Sequence, residues 1–117
     1  MELVIYHNPR CSKSRQTLAL LTERGFEPSV VEYLKTPPDR DTIERLLTLL
    51  ELEPRALMRQ QEAVYRERGL DDPGLDRASL VAALADEPRL LQRPIVVRDQ
   101  RRAVIGRPPE KVLELLT

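Results

Sequence analysis

The segment His7-Asn8-Pro9-Arg10-Cys11-Ser12-Lys13-Ser14-Arg15 holds the one cysteine and the one histidine of a 117-residue chain, together with cationic side chains. A thiol attacks only as its thiolate, so it needs a pKa below the free value of about 8.5. Two means of lowering it are present. Arg10, Lys13 and Arg15 make the local potential positive. The run from Ser12 to Arg24 contains neither Gly nor Pro and reads as a helix, whose first turn has free backbone N–H groups and the positive end of the helix dipole. That end also attracts anions, so a thiolate and an oxyanion pocket would share one place. Buried structural cysteines sit among apolar neighbours, and Arg10, Ser12 and Lys13 are not apolar. His7 could assist deprotonation or hold the loop by a hydrogen bond, and a lone His more often does the second. Ser14 could bond the thiolate or cap the helix. Because Ser14 stands where a Cys-x-x-Cys motif has its second thiol, no internal dithiol cycle is possible. Any redox chemistry at Cys11 must take its resolving thiol from outside.

The elements around this segment follow from pattern. Residues 2–6 form a short apolar, β-branched run that stops at His7-Asn8-Pro9, a turn signal, and read as a buried strand. Leu18 and Leu21, with Thr17 and Leu20, give the following segment helical spacing, and Gly25 stands at its C′ position. Ser29 to Leu34 reads as a second strand. Strand, helix and strand make a βαβ unit with parallel strands. Thr36-Pro37-Pro38 ends the strand, and Asp39 caps a helix over about 40–50 whose face carries Ile43, Leu46, Leu47 and Leu50. Glu53 to Leu91 reads as almost entirely helical, with Pro54 at a helix start, Gly69 at a helix end, Asp76 as a cap and Pro88 breaking the pattern into a last short turn. Ile95–Arg98 and Arg102–Ile105 read as a β-hairpin across Asp99-Gln100-Arg101. Pro109 opens a final helix through Val112, Leu113 and Leu116. No internal repeat or linker interrupts the chain.

Composition narrows the function classes. Lys plus Arg and Asp plus Glu both number 19, and zero net charge is unlike a general nucleic-acid or acidic-membrane binder. Aromatics are too few for a base-stacking platform. No apolar run reaches the length of a membrane span, and Met1–Tyr6 lacks the basic and apolar regions of a signal peptide. The expected location is the cytoplasm, where a lone thiol stays reduced. One Cys and one His exclude a Cys-based zinc site, and the expectation is no metal and no bound cofactor.

Several motifs in one order carry a resemblance over about residues 2–116. His7 to Arg15 resembles the active-site segment of the ArsC family, the glutaredoxin-coupled arsenate reductases. Glu32-Tyr33-Leu34 before Thr36-Pro37-Pro38, Leu57-Met58-Arg59 before Glu62 to Tyr65, Arg93-Pro94-Ile95-Val96-Val97, and Gly106-Arg107-Pro108-Pro109-Glu110 are similar to the family in the same way. The resemblance implies one α/β domain over 1–117 with a thioredoxin-like fold. Its mixed four-stranded sheet has a helical insertion, about 54–92, between the βαβ and ββα halves. It implies that Cys11 is catalytic, that Arg59, Arg93 and Arg107 bind the oxyanion, and that His7, Ser14 and Pro94 support the site. It also implies a cis Arg93–Pro94 peptide. Composition alone could not single out three arginines among sixteen (19 basic residues less Lys13, Lys35 and Lys111). Arg suits the task, because its planar fork stays protonated and matches an oxyanion.

The activity so implied is reduction of arsenate to arsenite, with glutathione as co-substrate and glutaredoxin as partner. Arsenic-resistance members typically carry Cys-Gly-Thr-Ser-Arg, whereas this chain carries Cys11-Ser12-Lys13-Ser14-Arg15 and is more similar to another widespread branch. One alternative keeps the chemistry with another substrate, as a glutathione-dependent thiol or disulfide reductase. A second is a regulator similar to the Spx branch, which binds RNA polymerase. Redox-switching members of that branch have Cys-x-x-Cys, which Ser14 removes here.

Overall fold

The computed structural model describes residues 1–117, which form two compact units, Met1–Thr36 with Arg93–Thr117, and Pro37–Gln92. In the first unit, strand β1 (Leu3–His7), helix α1 (Ser12–Glu23) and strand β2 (Ser29–Glu32) make the βαβ half. Strands β3 (Ile95–Arg98) and β4 (Arg102–Ile105), followed by a 3-10 helix over Pro109–Leu116, make the ββα half. The sheet order is β2-β1-β3-β4, with β1 and β2 parallel and the other pairs antiparallel. This is the mixed four-stranded, thioredoxin-like sheet expected from the sequence.

Alternation along β1 buries Leu3, Ile5 and His7 on one face. The cross-strand row Val30, Ile5, Val96, Val104 runs over that face. Leu21 of α1 and Val112 and Leu115 of the C-terminal helix close the core upon it. In that helix the buried residues are Pro109, Val112 and Leu115, while Leu113 and Leu116 are only partly buried. The expected 3.6-residue face gives way to the three-residue repeat of a 3-10 helix, whose side chains at i and i+3 eclipse.

Helix α1 stops in a Schellman motif. The N–H of Gly25 donates to Thr22 O and that of Phe26 to Leu21 O, with Gly25 at φ +87°. Strand β2 ends at Glu32, two residues before the expected Leu34. There the N–H groups of Lys35 and Thr36 both turn back to Glu32 O. The β3–β4 connection closes with Arg101 N–H on Arg98 O, and Asp99 and Gln100 both have positive φ, the geometry of a type I′ turn. Asp99 is held there through its carboxylate, which accepts from Glu2 N–H at 2.7 Å.

In the second unit the stretch from Glu53 to Leu91 divides at Gly69, Asp76 and Pro88 as the sequence suggests, but is less helical than expected. Helix α2 (Arg40–Leu50) forms as expected, with Asp39 Oδ1 accepting from Thr42 N–H at 2.8 Å, although Leu50 is only partly buried. Beyond it the chain breaks into a 3-10 turn (Pro54–Leu57), a short helix α3 (Ala63–Glu67), helix α4 (Arg77–Asp86) and a second 3-10 turn (Pro88–Leu90). The paired apolar neighbours Leu57-Met58 and Leu90-Leu91, all buried, straddle the ends of the two 3-10 turns, where the chain becomes extended. Met58 and Leu91 are extended and joined by an isolated antiparallel bridge, with Gln92 N–H on Leu57 O and Arg59 N–H on Leu90 O. Gly69 ends α3 and Asp76 caps α4, as the sequence suggests. Asp71-Asp72-Pro73-Gly74 between them is irregular. No helix is long and apolar enough to cross a membrane.

Candidate active site

Cys11 occupies the N-cap position of α1, at the C-terminal end of β1. The loop that carries it is organised by Asn8. Asn8 O accepts from Cys11 N–H at 3.0 Å, and Asn8 Oδ1 accepts from Arg10 N–H at 3.0 Å. Arg15 Nη1 adds a bond to Pro9 O. Sequence reasoning read Asn8-Pro9 only as a turn; the side-chain turn that an Asn makes with the backbone two residues on is the signal it offered. No acidic side chain stands in the first turn of α1, so no carboxylate competes with the thiolate for the positive end of the helix.

Partial burial pushes the Cys11 thiol up. The N–H of Ser14, the charge and hydrogen bonding of the Arg93 guanidinium, and the N–H of Lys13 outweigh it, so the thiol sits below its ordinary range. Lys13 and Ser14 are the N2 and N3 positions whose N–H groups a capping oxygen would take.

The Ser14 hydroxyl has other partners. Ser14 is fully buried, and its Oγ lies 2.6 Å from His7 Nδ1 and accepts from Asn8 N–H at 3.0 Å. Ser14 therefore serves the thiolate through its backbone, while its side chain ties α1 to the end of β1. His7 lies within β1 rather than in the turn expected after residue 6, paired in register with Glu32. Burial pushes its pKa down; Glu32 opposes that shift and Arg15 adds to it. The imidazole engages Ser14 and so links the end of β1 to α1.

The Arg93–Pro94 peptide is cis, and so is Arg107–Pro108. Two of the three guanidinium nitrogens of Arg93, Nε and Nη1, are buried with no acceptor. Buried donors beside a thiolate, left without a protein partner, suit an anionic oxygen. Arg107 is exposed, and its Nη1 donates to Arg93 O at 3.4 Å. The residue before it, Gly106, is buried, and its N–H donates to Pro94 O at 2.9 Å. A Cβ there would lie 2.6 Å from Thr17 Oγ1 and 2.9 Å from Pro94 Cγ. Gly106 thus lets the start of the Arg107 segment pack against both α1 and the cis-proline loop. Its sequence signal, a glycine at a strand end, pointed only to a strand stop.

In the first unit the structure therefore brings Cys11, His7, Ser14, Arg93, Pro94 and Arg107 to one end of the sheet. Arg59 belongs to the second unit, where its Nη1 pairs with Glu62 Oε1 at 2.7 Å.

Comparison with known proteins identifies the family of the chain. The model of the ArsC family matches residues 6–115. The "uncharacterized protein YfgD" of Escherichia coli (strain K12) is 53% identical over 116 residues, covering 98% of this chain and 97% of that one. A protein of Neisseria meningitidis serogroup A named arsenate reductase is 48% identical over 116 residues, covering 98% of each chain. The solved structure of an arsenate reductase from Vibrio cholerae superposes with a TM-score of 0.94 at 51% identity, covering 97% of each chain. With a family match that spans nearly the whole sequence and a fold shared at that level, the chain belongs to the ArsC family.

Proposed function

We propose that the protein reduces arsenate to arsenite through Cys11, with glutathione and glutaredoxin as the external thiols. The observation that carries this reading is one thiol of lowered pKa at a helix N-terminus, beside a guanidinium with two buried, unpartnered donors. Relatives that bear the name arsenate reductase support the choice of oxyanion.

In the proposed cycle the Cys11 thiolate attacks arsenic. A sulfur–arsenic bond forms and one oxygen leaves as water after taking up protons. Glutathione displaces a second oxygen as water. A glutaredoxin thiolate then attacks the glutathione sulfur. The electron pair of the breaking arsenic–sulfur bond stays on arsenic, taking it from As(V) to As(III), and a mixed disulfide leaves on glutaredoxin. Water cleaves the remaining arsenic–sulfur bond, releasing arsenite and the Cys11 thiol. In sum one arsenate and two thiols give one arsenite, one disulfide and one water. The scheme uses no metal and no bound cofactor. It belongs to a reducing compartment such as the cytoplasm.

Arg93 and Arg107 hold the oxyanion in this reading, and Arg59 is assigned to the same task on the family motif alone. Forked donors fix the orientation of a tetrahedral anion and stabilise charge as it develops, which a point charge does less well. His7, Ser14 and Pro94 are assigned to holding the loop. A coupled assay tests the reading: NADPH oxidation through glutathione reductase, with glutathione and glutaredoxin present, should depend on arsenate and saturate with it. Turnover indifferent to arsenate at every concentration would favour the glutathione-dependent thiol or disulfide reductase instead.

A further inference from the structure

The sheet order places the end of β1, and so the Cys11 loop, between the end of β2 and the start of β3. Arg93 and the cis-proline lie on the β3 side. On the β2 side is an open groove of about 180 Å³ whose walls include Pro9, Arg10, Glu32, Leu34 and Lys35. We propose that this groove binds the thiol that attacks the Cys11 adduct, a thiol carrying two carboxylates and one ammonium group, as glutathione does. The proposal deepens the reading above and rests on its use of such a thiol.

The charges of the groove are the complement of that ligand. Two cations, Arg10 and Lys35, face one carboxylate, Glu32. Arg10 is exposed and makes no ion pair with any carboxylate of the chain. Lys35 Nζ is 3.5 Å from Glu32 Oε1, with the lysine side chain 79% exposed, a solvated pair that gives way readily to a ligand. Leu34 is 44% exposed and supplies an apolar wall for the methylene groups of a small peptide. The groove is too small and too open to enclose a whole ligand, so one end of the thiol stays free. Its wall is the same loop that leads into Cys11, with Cys11 N–H on Asn8 O. Oxyanion and thiol would then approach the sulfur from opposite sides of β1, without competing for the Arg93 donors.

The test has two arms on the full chain. In the coupled assay, Lys35→Glu should raise the KM for glutathione about tenfold while the KM for arsenate stays within about twofold. In the second arm, S-methylglutathione is titrated into Cys11→Ser and followed by amide chemical shifts. Shifts should concentrate at residues 8–10 and 32–35, and adding Lys35→Glu should weaken binding about tenfold. This arm needs no arsenate turnover. If binding behaves as expected and turnover ignores arsenate, the oxyanion assignment fails and the groove stands. Shifts confined to other residues, or a glutathione KM and affinity unmoved by Lys35→Glu, would overturn the groove.

Discussion

At the scale of the residue, Cys11 takes its character from donors as much as from charge. Sequence reading singled out the flanking cations Arg10, Lys13 and Arg15, yet the groups that lower its pKa are the Ser14 N–H, the Arg93 guanidinium and the Lys13 N–H. The helix-end contribution was legible, because a helix start is local information. Arg93 was not legible from spacing, because it is brought to Cys11 by strand pairing across 82 positions (93 − 11); only the family motif pointed to it. The rate of Cys11 alkylation by iodoacetamide should titrate with a midpoint below the free-thiol value of about 8.5. Arg93→Gln should move that midpoint upward, since it removes the charge and keeps much of the side-chain length. An unchanged midpoint would mean that Arg93 does not act on the thiolate.

At the scale of the element, helix stops were readable wherever glycine made them. Gly25 and Gly69 end α1 and α3, as expected from the sequence. Helix α2 ends at Glu51 with φ +56°, and no glycine announces it. The long stretch after Glu53 misled because a buried apolar residue such as Met58 fits a helical pattern as well as the isolated bridge that it forms with Leu91. Close packing between elements was also illegible, since a glycine does not say what it approaches. Gly106→Ala should cost about 1–3 kcal/mol, the range for an overpacked contact, because its Cβ would meet Thr17 and Pro94. Gly25→Ala should cost about 1 kcal/mol for another reason, the left-handed backbone at φ +87°, as there is nothing within 4 Å of its Cβ. Urea denaturation measures both. Oxyanion binding should suffer further in Gly106→Ala, because the residue adjoins Arg107, and should be spared in Gly25→Ala.

At the scale of the whole molecule, the zero net charge conceals an uneven distribution, with unpartnered guanidinium nitrogens at one end of the sheet. Stability should carry the mark of His7. Its folded pKa lies below the unfolded value near 6.5, chiefly through burial, so below that pH the unfolded chain binds a proton that the native chain refuses. Stability is therefore fully present above about pH 6.5 and declines as pH falls toward the folded pKa. Asp39, Asp76 and Asp99 are also held below their ordinary value of 3.8, by hydrogen bonds to their carboxylates, so their losses come at lower pH. Urea midpoints between about pH 6.5 and 5 should fall in the wild type and fall less in His7→Gln. The role of the single thiol is decided by measuring arsenite formed with glutathione and glutaredoxin by wild type and by Cys11→Ser. Arsenite is expected from the wild type and none from a folded Cys11→Ser protein; equal arsenite from both would show that Cys11 does not carry the reaction.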